Sequence, residues 1–76
     1  MKTFVLCKLA PGKEQKAIST IRAIEGVTDV YMVFGGWDAI LAAEGDTIDK
    51  LSNLVVSRVR AVDGVSATET LVTTSL

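Results

Sequence analysis

The chain has 76 residues, with eight lysines and arginines against nine aspartates and glutamates, no histidine and one cysteine. Its net charge of −1, with basic residues scattered from Lys2 to Arg60, leaves no footprint for a phosphate backbone, so no direct nucleic-acid binding is expected. Without histidine there are no catalytic triads, imidazole bases or histidine metal sites, and the lone Cys7 provides neither a disulfide nor a thiolate pair for a soft metal.

A single domain over residues 1–76 is the expectation, and a domain of this size buries only roughly 60% of its unfolded surface. Hydrophobic residues make up 49% of the chain. The remaining route to further burial is self-association, so a homo-oligomer is expected. No apolar run approaches the ~18 residues that cross a bilayer, and the N-terminus lacks the pattern of a signal peptide, which points to a cytoplasmic, membrane-free protein.

Thr3 to Leu9 is β-branched and apolar and reads as a strand, stopped by Pro11-Gly12. Cys7, inside it, reads as a small buried hydrophobe rather than a reactive thiol. From Lys13 the period changes. Ala17, Ile18, Ile21 and Ile24 recur at helical spacing, and Gly26 is placed to end the helix as a left-handed C′ residue with Val27 packing back.

Val27 to Phe34 reads as a second strand and Ala39 to Ala43 as a third, joined by a tight hairpin through Gly35-Gly36. Both strands are apolar on two faces, which suits a sheet covered on each side. A second helix should start at Asp46 as N-cap with Asp49 following, and should bury Ile48, Leu51, Leu54, Val55, Val59 and Val62. Val65 to Thr74 completes the set as a fourth strand, with Thr68, Thr70, Val72 and Thr74 on one face and Ala67, Glu69 and Leu71 on the other.

The halves repeat each other. Ile24-Glu25-Gly26-Val27 returns 38 residues on as Val62-Asp63-Gly64-Val65, each closing a helix and opening a strand. A duplicated βαβ unit gives an α+β, ferredoxin-like βαββαβ domain: an antiparallel four-stranded sheet with two helices on one face. In so short a chain, the other face is most economically covered by a second copy of the sheet, as in a dimeric α+β barrel.

Polar candidates for a site are few: Asp38, Thr68, Glu69, Thr70 and the Tyr31 hydroxyl. An amino-acid ligand needs a carboxylate near its ammonium and N–H donors near its own carboxylate, and a glycine turn followed by Asp38 could offer both. Asp38 also has a plainer reading, as a turn aspartate satisfying nearby backbone amides, and Trp37 one as a core or interface aromatic. Gly35-Gly36 leads into a strand, not a helix, and lacks the lysine of a phosphate loop.

The segments Gly26 to Leu41 and Gly64 to Val72 resemble the effector (RAM) domain of the Lrp/AsnC transcription regulators. The resemblance rests on the Gly-Val strand start with a tyrosine four residues after the valine, the Gly-x-aromatic-Asp hairpin, and the Thr-x-Thr final strand, and it extends over nearly the whole chain. It implies a homodimer built sheet to sheet, dimers joined into a ring, and a small amino-acid ligand between dimers. By position, Gly35, Gly36, Trp37 and Asp38 would line that site, with Thr68 and Thr70 approaching it. No cofactor, metal or enzymatic activity is implied. Regulators of the family carry an N-terminal helix-turn-helix domain. Here the chain opens on the first strand, so the expectation is a stand-alone effector domain that acts on transcription through full-length Lrp/AsnC-type partners.

Two other classes share the strand order. One is a small dimeric α+β barrel enzyme, such as a cofactor-free monooxygenase or isomerase; the other is an ACT-like regulatory domain, distinguished by side-by-side sheet pairing.

Overall fold

The computed structural model of the chain describes residues 1–74. Four strands and two helices follow in the order β1 (Lys2–Leu9), α1 (Glu14–Arg22), β2 (Val27–Met32), β3 (Ala39–Glu44), α2 (Ile48–Leu54) and β4 (Val65–Val72), with α2 continuing as a π-helical turn over Val55–Val59. The sheet order is β2-β3-β1-β4 and every neighbouring pair is antiparallel, the ferredoxin-like arrangement that the duplicated pattern predicts.

Alternation along β1 decides which face is the core. Thr3, Val5, Cys7 and Leu9 are buried, while Lys2 and Lys8 are exposed and Phe4 and Leu6 half-buried. Strand side chains alternate, so the buried set lies beneath the helices with Ala39, Leu41 and Ala43 of β3 and Val30 of β2. Ala17, Ile18, Ile21 and Ile24 from the first helical segment, and Leu51, Val55, Val59 and Val62 from the second, close over them. Thr3, a buried polar residue in this layer, donates its hydroxyl to the Leu71 carbonyl at 2.8 Å and so ties β1 to β4.

The opposite face follows from register. Phe4 pairs with Ala42 and Leu71, and Leu6 with Ile40 and Glu69, while Tyr31 pairs with Ile40. Phe4, Leu6, Ile40, Tyr31 and Leu71 therefore share an apolar face that no helix of this chain covers. Tyr31 and Leu71 on it are 57% and 46% exposed.

Four local expectations are corrected, the simplest being that β4 ends at Val72 and not at Thr74. The first helix ends at Arg22, and Gly26 is not its C′ residue. Instead Val27 N–H donates to the Ile24 carbonyl at 3.2 Å, and Gly26, at φ +98°, takes the third position of that turn, where positive φ is required. Val65 N–H to the Val62 carbonyl, with Gly64 at φ +99°, repeats it.

The N-cap of α2 is Thr47, whose hydroxyl accepts from Lys50 N–H at 3.1 Å, whereas Asp46 reaches the Lys50 ammonium at 3.3 Å on the surface. Both residues are good caps; Ile48, expected in the core, is exposed, while Leu51 is buried as expected. Finally, β2 stops at Met32 rather than Phe34, so the hairpin is wider than a two-residue turn, and Phe34 stands fully in solvent.

Candidate functional site

The hairpin between β2 and β3 is closed by Val33 N–H donating to the Asp38 carbonyl at 3.0 Å, which leaves Phe34, Gly35, Gly36 and Trp37 as its loop. Gly35 has φ +138° and open space around it; Gly36 is equally unencumbered. Trp37 and Asp38 are half-buried. Asp38 is held at three points: its N–H donates to the Cys7 carbonyl at 2.9 Å, its carbonyl accepts from Val33, and its carboxylate Oδ2 accepts from Leu9 N–H at 2.9 Å. The register of β1 against β4 shifts between Lys8 and Leu9. There β3 has just begun, and the side chain of Asp38 supplies the acceptor that another strand residue would otherwise provide. The amide that this carboxylate satisfies is thus one of β1, not one of its own turn.

Thr68 and Thr70 lie elsewhere on the same sheet. They occupy the helix-side face of β4, opposite Cys7 and Val5 respectively. Ala39 also pairs with Cys7, so Ala39, Cys7 and Thr68 form one row across three strands, and the hairpin stands at the same end of the sheet as Thr68. Two strand spacings, roughly 10 Å, separate them.

Between β4 and the α2–π segment is a cavity of about 360 Å³ lined by Thr68, Thr70 and Val72 from the strand and by Ile48, Leu51, Ser52, Val55, Val56 and Arg60 from the helical side. Gly35, Gly36, Trp37 and Asp38 do not line it. The expected site residues therefore divide into two groups within one chain: the two threonines, which share a cavity, and the hairpin, which projects beyond it.

The helical wall is the part of this cavity that the sequence pattern does not announce. Ile48, expected in the core, is 56% exposed, as is Val56, and the two flank the cavity. The same helical wall contains the π turn, in which Arg60 N–H donates to the Val55 carbonyl at 2.9 Å, five residues back. Leu51, Val55 and Val59 recur every four residues, and on an α-helix of 3.6 residues per turn such a row drifts around the axis. Widening the turn holds them in line on the core. That four-residue spacing is the available signal.

The family model for the Lrp/AsnC ligand-binding domain matches residues 2–75 of this chain. The chain belongs to that family. An uncharacterised helix-turn-helix-type transcriptional regulator of Pyrococcus furiosus, PF0250, is 33% identical over 72 residues, a match covering 91% of this chain and 48% of the regulator. The Lrp/AsnC domain here thus spans about half the length of the curated relatives it matches. Among solved structures, FFRP-DM1 superposes with a TM-score of 0.86 at 28% identity, covering 92% of this chain and 93% of that one. The Thermus thermophilus protein TTHA0845 gives a TM-score of 0.92 at 25% identity, covering 99% and 94%. Among the described residues of this Lrp/AsnC domain no helix is long and apolar enough to cross a membrane.

Proposed function

We propose that this domain is a regulatory, non-enzymatic module that binds a small amino-acid effector and couples binding to its state of assembly. The observation that carries the reading is the cavity holding Thr68 and Thr70, in a domain whose family is defined by ligand binding. Its volume of about 360 Å³ suits a molecule of amino-acid size.

The uncovered apolar face of Phe4, Leu6, Ile40, Tyr31 and Leu71 supports a homodimer formed sheet to sheet. Dimers then join into a ring, in which hairpin residues Gly35 to Asp38 of one dimer complete the effector site begun by Thr68 and Thr70 of the next. The exposed Phe34 and half-buried Trp37 are suited to such a contact. Transcription is reached through mixed assembly with full-length regulators of the family, the helix-turn-helix-type proteins of which this chain matches about half the length. The setting is cytoplasmic, and the effector is the one small ligand required.

Solution mass by light scattering, together with melting temperature, measured with each of the twenty amino acids tests this reading. One or a few amino acids should raise the melting temperature and shift the mass toward the ring, since a ligand that binds only the assembly favours it by mass action. Thr68→Val with Thr70→Val should abolish both responses. If no amino acid alters either quantity, the effector reading is wrong.

A further inference from the structure

We propose that Arg60 makes the cavity between β4 and the π turn selective for a small aliphatic carboxylate. This rests on the effector reading and names the ligand class. Arg60 is the single formally charged residue in the lining; the other polar groups there are the hydroxyls of Ser52, Thr68 and Thr70, and the rest are Ile48, Leu51, Val55, Val56 and Val72. A cation, three hydroxyls and an aliphatic wall complement a molecule with one carboxylate and a branched hydrocarbon tail. Guanidinium meets carboxylate in a bidentate fork, and one cation matches one carboxylate better than a doubly charged phosphate.

Three further features favour that assignment. Arg60 also lines a smaller cavity of about 110 Å³ with Val65, Ser66, Ala67 and Thr68, so it stands beside Thr68 where the two spaces adjoin. Among the described residues the three ion pairs are Met1–Glu44, Lys13–Asp63 and Lys50–Asp46, and Arg60 is in none of them. The i to i+5 bond from Arg60 N–H to Val55 fixes where the side chain leaves the helical segment, and π turns of this kind recur at binding sites.

The lining also explains what would be refused. It contains no aspartate or glutamate of this chain. The extra ammonium of a lysine side chain would lie where the tail does, against Ile48, Leu51, Val55, Val56 and Val72, with no carboxylate of this chain to pair it. The carboxylate, not the ammonium, is the group the cavity reads.

The test compares four probes by calorimetry on the whole chain: leucine, 4-methylpentanoate (leucine without its amine), isopentylamine (without its carboxylate) and lysine. Leucine and 4-methylpentanoate should bind, isopentylamine and lysine should not. Arg60→Gln should weaken the two carboxylates roughly tenfold or more, with Arg60→Lys intermediate. Arg60 is exposed, and thermal unfolding of each variant verifies that the fold is retained. Binding of isopentylamine as tight as that of leucine, or amino-acid binding unchanged in Arg60→Gln, overturns the selectivity and leaves the effector reading standing. Binding of 4-methylpentanoate through Arg60 with no amino acid bound would uphold the selectivity and remove the amino acid. Silence of all four probes overturns the inference, and the twenty-amino-acid panel then decides the broader reading separately.

Discussion

The carboxylate of Asp38 accepts the backbone N–H of Leu9 at 2.9 Å, so a residue of the hairpin terminates the hydrogen bonding of the first strand. This contact makes Asp38 structural before it is anything else. Leu9 is buried, and the pairing of β1 with β3 has already ended at Cys7 and Ala39, so no β3 residue stands ready to replace the carboxylate.

Asp38→Ala should therefore cost about 1–3 kcal/mol, the usual penalty of orphaning a buried donor. Asp38→Asn keeps an acceptor oxygen and should lose under about 1 kcal/mol. Urea unfolding of the three proteins checks the order; an alanine variant as stable as the wild type would remove the capping role.

Gly64 is the least replaceable glycine. A Cβ there would lie 2.9 Å from Lys13 Cβ and 3.3 Å from Ala17 Cβ, at a φ of +99°. Gly64→Ala should destabilise by at least about 2 kcal/mol, backbone strain and overpacking combined. Gly12, at φ +85° with open space around it, should lose only about 1 kcal/mol as alanine. Equal losses at the two positions would mean that the close approach to α1 contributes nothing.

Leu71→Lys places a charge on the uncovered sheet face, beside Phe4, at a position that is 46% exposed in one chain. The monomer should tolerate it, and a sheet-to-sheet dimer should not, because a buried unpaired charge is costly. Sedimentation should read monomer for the variant at concentrations where the wild type is dimeric. A variant that remains dimeric would direct attention to another interface.

Cys7 is fully buried, and desolvation pushes its thiol up from 9.0 to about 11. Thiol reagents at pH 8 should label it only on unfolding, since the thiolate is the reactive form. The sign of the pH effect follows from the raised value: the contribution is complete below pH 9.0 and is lost between pH 9.0 and about 11, where the unfolded chain gives up the proton first. Melting temperature should decline more steeply over that interval in the wild type than in Cys7→Ala.

Much of the architecture is legible from period alone. The alternation of Thr3, Val5, Cys7 and Leu9, the helical row Ala17, Ile18, Ile21 and the twice-used Gly-Val strand start each admit one reading. Where the sequence misleads, two local solutions are close in energy. Asp46 and Thr47 are both competent caps, and the chain uses Thr47. The apolar run Leu54-Val55-Val56 is compatible with either helical pitch, so the π turn, and with it the position of Arg60, depends on packing that only the folded chain supplies. Thr68 and Thr70 stand out among the few polar candidates, family likeness gives them an expected role, and the cavity they line cannot be seen without the helical wall.

The paired glycine turns have one more implication. The carbonyl of Gly26 accepts Glu44 N–H at 3.0 Å, and that of Gly64 accepts Ala10 N–H at 2.7 Å. Each turn is thus fastened to a strand end belonging to the opposite half, just as β1 is inserted between β3 and β4. Neither half has a sheet of its own: β1 and β2 are not neighbours, nor are β3 and β4. Cleaving the peptide bond between Gly35 and Gly36 would leave two pieces, each unstructured alone and each the template for the other, so the domain is in effect a covalently joined pair of interlocking peptides and a natural candidate for fragment complementation.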